Sequence, residues 1–320
     1  MRLCRFRLQN VIQVGFYTEG GVIPLPFAAA AYAEATHEKI GMPQGDNLLD
    51  FLPPEGKGFA AAAKVAHWLE GQPAAAAKGL LATDKVELLV PIPRPNKLFL
   101  LAGNYAAHII EGGGEAPERK ETFPYVFMKP PTTTLTDPGK PVVIPGISPK
   151  HVDWECELAV IIGRGGKHIS EAEALKHVAG YTVINDISDR KFRPNPDRKM
   201  REKDSFFDWL HGKWHDSFCP MGPCLASADA IPNPQKLAMK LSVNGKLHQN
   251  ASTGQQIFPV AAVIEFISNM CTLEPGDIIS TGTPAGVGNA SGTYLAPGDK
   301  VEAWIENIGT LFSPIDADKA

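Results

Sequence analysis

The sequence predicts an α+β protein with a β-rich core over residues 94–320 and a smaller N-terminal α+β domain over residues 1–93. Three observations lead to this prediction. Short runs rich in β-branched and aromatic residues, separated by turn residues, recur from Lys97 onward. Alanine-rich stretches with helical spacing occupy much of the N-terminal part. Between the two parts, the string PIPRPNK cannot be helical and resembles an extended linker.

The expected elements follow one another along the chain. The N-terminal part begins with two strand-like runs, LCRFRL and VIQVGFY, and continues into helices such as GFAAAAKVAHWLEG, which Gly71 is expected to end. The core contains eight predicted strands: KLFLLAG, YVFMKP, VVIPG, ELAVIIG, YTVINDIS, LAMKLSVNG, DIISTGTPAG and KVEAWIENIG. Two helices interrupt them: SEAEALKHVAG (170–180), which opens with a capping-box pattern at Ser170 and Glu173, and FPVAAVIEFISNMC. Residues 191–212 form the longest polar loop, and such loops are often lids.

The composition argues against several classes of function. The 320 residues are 44% hydrophobic and 21% charged, and the formal net charge of −4 offers no basic surface for nucleic acid. No run approaches ~18 consecutive apolar residues, so we expect no membrane-spanning helix. The N-terminus is a poor secretory signal, and the five cysteines form no CxxC pair. Reduced thiols in a cytoplasmic protein are therefore expected.

Two carboxylates in one predicted strand suggest a metal site. Glu155 and Glu157 lie at the start of an apolar run, and side chains two residues apart point to the same face of a strand. Their Cα atoms would lie ~7 Å apart, close enough for both side chains to bind one cation. The pattern alone fits a solvent-facing acidic pair on an edge strand at least as well. A third carboxylate, Asp186, ends the next apolar run, but spacing alone does not bring it to the first two.

Three carboxylates around one ion would select a hard cation. Mg²⁺ or Mn²⁺ is expected, with Ca²⁺ as a further option. Three protein oxygens leave about three positions of an octahedral ion open. A 2-oxo acid could fill two of them as a chelate, which would polarise its keto group and stabilise an enolate. A small 2-oxo acid is therefore one substrate that such a site could bind.

Eight short motifs follow one another along most of the chain. They are GNYAAH (103–108), FMKP (127–130), ECELA (155–159), NDISDR (185–190), GK (212–213) ahead of FCPMGP (218–223), VNG (243–245), PGDII (275–279) and TGTPAGVG (281–288). In this order they resemble the fumarylacetoacetate hydrolase family over about residues 95–316. The resemblance implies a mixed β-sandwich or β-roll core, a homodimer, and bound Mg²⁺ or Mn²⁺, sometimes Ca²⁺. It also implies that Asp186 joins Glu155 and Glu157 as the third metal ligand.

The resemblance implies roles for further residues. His108 and Glu111 match the family's dyad, in which the carboxylate orients the imidazole as a general base for water. Lys213 matches the lysine that donates to a developing oxyanion or enolate. Without the resemblance, His108 would be read as a helix-surface histidine and Lys213 as a solvated loop lysine. Substrate-binding roles fall to five residues in or beside the matching motifs: Tyr105, Arg190, Thr281, Gly282 and Thr283.

Members of this family cleave C–C bonds of acylpyruvates and related diketo acids, decarboxylate oxaloacetate, or isomerise and hydrate 2-oxo dienoates. Because the dyad is present, we predict a metal-dependent hydrolase that cleaves a C–C bond of an acylpyruvate or a fumarylacetoacetate-like diketo acid. Oxaloacetate decarboxylation and 2-oxo-dienoate isomerisation or hydration remain alternatives, as does a non-catalytic 2-oxo-acid-binding protein. Residues 1–93 are expected to be structural. The sequence departs from the family pattern at 112–114, 206–211 and 214–216, where members differ in lid and pocket.

Overall fold

The computed structural model describes residues 1–318. The strands are β1 (Arg2–Leu8), β2 (Val11–Thr18), β3 (Gly21–Pro24), β4 (Glu87–Leu89), β5 (Leu98–Ala102), β6 (Tyr125–Met128), β7 (Leu135–Thr136), β8 (Val142–Ile144), β9 (Val152–Asp153), β10 (Cys156–Ile162), β11 (Val178–Asn185), β12 (Ser188–Asp189), β13 (Cys219–Ser227), β14 (Ala238–Val243), β15 (Lys246–Ser252), β16 (Ile278–Ser280), β17 (Lys300–Ile305) and β18 (Gly309–Ala317). The α-helices are α1 (Leu25–Thr36), α2 (Phe59–Glu70), α3 (Pro73–Gly79), α4 (Ala106–Glu111), α5 (Pro131–Thr134), α6 (Asp204–His211), α7 (Val260–Met270) and α8 (Gly288–Ser291). None of the helices in residues 1–318 combines the length and the hydrophobicity that a membrane-spanning helix needs.

The largest sheet has eleven strands. Nine follow the order β3-β2-β1-β13-β11-β10-β16-β5-β6, with β4 beside β1 and β7 beside β13. At its centre, β10 and β11 are antiparallel and every residue of both strands is buried. The sequence explains this burial, because both strands are mainly apolar and lack the alternation of a half-exposed strand. A second sheet has five strands in the order β15-β14-β17-β18-β8, and β9 pairs with β12 in a third, two-stranded sheet.

The two larger sheets pack face to face. Leu158 of β10 belongs to the same apolar cluster as Leu241 of β14 and Val301 of β17. On the opposite face of β10, Ile161 belongs to a cluster that includes Val65 of α2. Side chains of β10 therefore alternate between the five-stranded sheet and the N-terminal helices. This layering confirms the predicted α+β fold with mixed sheets.

The N-terminal strands extend the large sheet. β1 pairs with β13, with Leu3 opposite Leu225, and also pairs with β2 and β4. The segment 91–97 is non-helical, as expected, and its Pro91 and Pro95 are buried. The polypeptide thus crosses from the N-terminal part to the core while packed against the protein. A domain boundary after residue 93 stays a prediction.

Most of the predicted elements are present, and one helix prediction is wrong. All eight predicted core strands occur, as do β1, β2, α2 and α7. The stretch 170–180 forms a 3₁₀ turn at Ala174–His177, without the predicted side-chain cap, and then enters β11. Residues from Val178 onward pair with β10 and β13. This pairing outweighs the local helix preference of the sequence.

Two elements near the site were not predicted. The final part of the expected loop 191–212 forms helix α6. Strand β13 is nine residues long and buried throughout, although Pro220, Gly222 and Pro223 count against a central strand. Its pairing with β1 and β11 makes it a strand despite these residues.

Candidate metal centre and active site

Three buried carboxylates meet at one end of β10 and β11. Glu155 immediately precedes β10, Glu157 is its second residue, and Asp186 follows the last residue of β11. The antiparallel register pairs Cys156 with Asn185, so both strands bring their carboxylates to the same edge. One oxygen of each carboxylate lies within 4.8 Å of the others. The structure therefore brings together the three residues that were predicted as metal ligands.

The surroundings of Glu157 fit a divalent cation. Its Oε1 atom is buried and has no hydrogen-bond partner among residues 1–318. Burial, and then the negative charges of Asp186 and Glu155, raises the pKa of Glu157 well above its usual value. A cation between the three carboxylates would satisfy the free oxygen and offset their repulsion. The all-oxygen donor set suits Mg²⁺, Mn²⁺ or Ca²⁺.

The second oxygen of Glu157 is held by the turn that follows β16. Oε2 accepts hydrogen bonds from the Ser280 hydroxyl (2.6 Å) and from the Gly282 amide (2.9 Å). Gly282 has a φ of +86°, and a Cβ there would lie 2.9 Å from the Cβ of Asn104. The position requires glycine on both grounds. The Gly282 amide thus positions a carboxylate of the candidate metal centre, and its role in substrate binding stays a prediction.

Two buried lysines donate to carboxylates of the candidate metal centre, and both contact Asp186. The Lys213 ammonium donates to Glu155 Oε2 (2.8 Å) and to Asp186 Oδ2 (2.5 Å). Burial opposes its charge, but Asp186 and Glu155 raise the pKa of Lys213 above its usual value. The Lys129 ammonium donates to Asp186 Oδ1 and to two backbone carbonyls. Sequence reasoning gave Lys129 no role, although a lysine directly after the apolar run YVFM was a signal for a buried charge.

Arg190 is engaged by two protein carboxylates. Its Nε donates to Asp153 Oδ2 (2.7 Å), and its Nη2 donates to Glu155 Oε1 (2.6 Å). Burial would raise the pKa of Glu155, but Arg190 and Lys213 hold it below its usual value. Asp153 also accepts from the backbone amide of Gly288 at the start of α8. The guanidinium therefore holds Glu155 in place, and its role in substrate binding stays a prediction.

The predicted dyad forms on α4. His108 Nδ1 lies 2.8 Å from Glu111 Oε1, one helical turn along the same face. Glu111 Oε2 accepts from the Gly286 amide (2.9 Å), which ties α4 to the turn after β16. When Nδ1 donates to Glu111, the Nε2 atom of His108 is left as the proton acceptor.

A cavity of about 200 Å³ joins these groups. The residues that line it come from β5, α4, α6 and several loops. They are Leu101, Ala102, Gly103, His108, Glu155, Arg190, Trp209, Lys213 and Thr283. His108 of the dyad, Lys213 and one predicted metal ligand, Glu155, thus line one space. Trp209 was not singled out by the sequence as a site residue, although its segment was recognised as unusual.

Three of the predicted substrate-binding residues, Tyr105, Thr281 and Gly282, are not among the residues that line this cavity. The Tyr105 hydroxyl is buried against Met239 Sδ (3.2 Å) and accepts from the Gln256 amide. The Thr281 hydroxyl donates to the Leu158 carbonyl (2.8 Å). Both hydroxyls are therefore occupied within the protein and do not face the cavity. Thr283 does line the cavity, and its hydroxyl donates to the Cys156 carbonyl (3.0 Å).

Known proteins share this fold and sequence pattern. The family model described as fumarylacetoacetate (FAA) hydrolase C-terminal matches residues 97–316. The mitochondrial oxaloacetate tautomerase of Xenopus laevis is 38% identical over 238 residues, which cover 74% of this chain and 70% of that protein. The fumarylacetoacetate hydrolase from Exiguobacterium antarcticum superimposes with a TM-score of 0.75 at 28% identity, covering 99% of this chain and 100% of that one. Maleylpyruvate hydrolase from Sphingobium sp. SYK-6, in complex with manganese(II) and pyruvate, superimposes with a TM-score of 0.69 at 27% identity over 100% of both chains.

Proposed function

Because the chain belongs to the fumarylacetoacetate hydrolase family, we propose that it is a divalent-metal-dependent hydrolase that cleaves a C–C bond of a small diketo acid, with acylpyruvates as the substrate class. The observation that carries the proposal is the shared cavity. His108, already hydrogen-bonded to Glu111, lines the same space as Lys213 and the carboxylate of Glu155. A general base, a cationic donor and a candidate metal centre are the parts that this hydrolysis needs.

Glu155, Glu157 and Asp186 would hold the cation. When bound, a divalent cation polarises the 2-oxo group of a chelating substrate and offsets negative charge that develops on it. Mg²⁺ and Mn²⁺ are the cations proposed, with Ca²⁺ as a third option. The presence of manganese(II) and pyruvate in the maleylpyruvate hydrolase structure supports this choice.

The protein's own residues account for the proton transfers. His108 Nε2 takes a proton from water, and Glu111 holds the imidazole in orientation through Nδ1. The resulting hydroxide adds to the acyl carbonyl carbon, and Lys213 donates to the oxyanion that forms. The C–C bond to the pyruvyl unit then breaks, and its electron pair forms the pyruvate enolate. Return of the proton from His108 to this carbon gives pyruvate and a free carboxylic acid.

A second candidate is tautomerisation of oxaloacetate. It is favoured by the 38% identity to the oxaloacetate tautomerase of Xenopus laevis. The same base could move a proton between C3 and the enol oxygen without attack by water, so the dyad serves either reaction. Decarboxylation of oxaloacetate would use the same enolate.

An assay of His108 variants tests the proposal. Wild-type protein with Mn²⁺ is expected to cleave acetylpyruvate, and His108→Ala is expected to lower kcat by about 100-fold or more, because general-base catalysis contributes on that scale. His67→Ala is the matched control, since the His67 side chain is 90% exposed on α2. Full acetylpyruvate cleavage by His108→Ala would contradict the proposed water activation.

The two candidate reactions are separated in the same experiment. Ketonisation of enol-oxaloacetate is followed by its ultraviolet absorbance. If wild-type protein accelerates this step and leaves acetylpyruvate intact, tautomerisation replaces hydrolysis as the function.

A further inference from the structure

A second cavity lies beside the cavity that His108 and Lys213 line, which we call the site cavity. The lining of the second cavity is mainly apolar. Its volume is about 290 Å³, and the segment 101–103 lines both cavities. Ile109, Phe123 and Phe258 contribute apolar walls. Among residues 1–318, no lysine, arginine or histidine lines it, and Glu115 is its one carboxylate. This space therefore suits an uncharged, apolar group.

Helix α4 places the proposed base beside this second cavity. His108 lines the site cavity, whereas the next residue, Ile109, lines the second. Gly103 lines both, and a Cβ at that position would lie 3.5 Å from Ile109 Cγ1. Gly103 therefore borders both spaces, and the two α4 residues that line them, His108 and Ile109, are consecutive in the chain.

The cationic side chains of the site cavity have carboxylate partners within the protein. Arg190 is paired with Asp153 and Glu155, and Lys213 is paired with Glu155 and Asp186. A carboxylate at the far end of the substrate would therefore enter the second cavity without a cation to pair with. It would also share that cavity with the Glu115 carboxylate, and two like charges close together are unfavourable.

An aromatic wall closes the site cavity on the α6 side. The ring of Trp209 packs edge-on against Phe127 at 5.0 Å between centroids. The Lys213 ammonium lies 5.2 Å from the Phe127 ring centroid and 5.6 Å from that of Trp209. The Lys213 ammonium is thus covered on this side by two aromatic rings.

We infer that the substrate carries a neutral, apolar acyl group, so that this protein prefers acylpyruvates with an alkyl or aryl tail over those whose tail ends in a carboxylate. The inference rests on the proposed function and extends it to the substrate's distal end. The apolar cavity would take the tail, with His108 facing the acyl carbonyl between the two spaces.

The first test compares matched substrates and matched ligands. With Mn²⁺, kcat/KM is expected to be at least ~10-fold higher for hexanoylpyruvate than for the acylpyruvate of equal length that ends in a carboxylate, the scale on which apolar pockets discriminate. Calorimetric binding of 2-oxooctanoate and 2-oxooctanedioate measures the same preference without hydrolysis. Tighter binding of the monocarboxylate is the expected result.

A cation placed in the second cavity is the sharper test. Phe123→Arg would give a terminal carboxylate its missing partner, and is expected to shift the ratio of the two kcat/KM values toward the carboxylate-ended substrate by about 10-fold or more. Phe207→Arg is the matched control, because Phe207 is an exposed aromatic on α6 that lines neither cavity. The control is expected to keep the wild-type ratio.

The possible results distinguish a failure of this inference from a failure of the proposed hydrolysis. Cleavage of acetylpyruvate together with a preference for carboxylate-ended tails would overturn the inference and leave the proposed hydrolysis standing. If no acylpyruvate is cleaved, the proposed hydrolysis is wrong. The preference for an apolar tail is then tested only by the calorimetric affinities for 2-oxooctanoate and 2-oxooctanedioate. Equal or tighter binding of the dicarboxylate would overturn the inference.

Discussion

The contacts of one residue, Glu157, determine much of the geometry of the candidate metal centre. One of its oxygens is fixed by Ser280 and Gly282, and the other is buried without a partner. The spacing of Glu155 and Glu157 predicts only that their side chains share a face of a strand. It could not reveal that the Gly282 amide holds Glu157, because that contact joins residues 125 positions apart.

Gly282→Ala is predicted to damage stability and cation binding together. The new Cβ would meet Asn104 at 2.9 Å and occupy a backbone with φ of +86°. We expect a loss of about 2–4 kcal/mol in the free energy of unfolding, measured by urea denaturation. Gly292→Ala is the control, since Gly292 has a φ of +68° but no atom within 4 Å of its Cβ position. The strain alone should cost about 1 kcal/mol there, and equal losses in both variants would contradict the proposed clash.

At the residue scale, the sequence predicted which side chains meet better than which side chains line the cavity. The contact between His108 and Glu111 is present at 2.8 Å, and the three carboxylates meet. Tyr105 and Thr281 were assigned from their motifs alone, and their hydroxyls are used within the protein. A sequence motif identifies a residue, but the direction of its side chain depends on the packing around it.

At the scale of elements, helix α6 carries the part of the site that the sequence predicted least well. It lies in a segment that was expected to be a polar loop, and it supplies Trp209 to the cavity wall. Arg198 joins the preceding loop to α6 through Asp204 and Asp208. These ion pairs help to hold α6 in place, because this short helix has few buried residues of its own.

Arg198→Ala is predicted to loosen α6. The variant should show faster amide hydrogen exchange over residues 204–211 than wild-type protein, because Asp204 and Asp208 lose their shared partner. Arg201→Ala is the control, since Arg201 is largely exposed and contacts only Asp204 of this pair. Unchanged exchange in Arg198→Ala would show that α6 is held by its aromatic contacts instead.

Local patterns predicted the core strands well and failed where long-range pairing decides the structure. The runs that became β10 and β11 are apolar enough to be recognised alone. Strand β13 contains two prolines and a glycine, and it is a strand because β1 and β11 pair with it. The error at 170–180 has the same cause, since β11 begins where a helix was expected.

At the scale of the whole molecule, the large sheet joins the N-terminal part to the candidate site. β1 borders β13, which borders β11, whose end carries Asp186. The helices of the N-terminal part cover one face of this sheet. Assembly as a homodimer and a cytoplasmic location stay predictions, and the Xenopus laevis relative is a mitochondrial protein.

Removal of residues 1–93 is predicted to prevent stable folding. The truncated chain would expose the edge of β13 and the apolar face that now packs on α2. We expect aggregation, or a soluble product without near-ultraviolet circular dichroism and without a cooperative thermal transition. A truncated protein that unfolds cooperatively near the wild-type temperature would show that the core folds independently.

The dependence of acetylpyruvate cleavage on a divalent cation tests the proposed active site most directly. Wild-type protein, and a Glu157→Ala variant, would be freed of metal with EDTA, dialysed, and assayed before and after addition of Mn²⁺. We predict that metal-free wild-type protein is inactive, that Mn²⁺ restores cleavage, and that Glu157→Ala stays inactive at the same Mn²⁺ concentration. Full cleavage by the EDTA-treated wild-type protein, or normal restoration of Glu157→Ala, would contradict a reaction built on the three carboxylates.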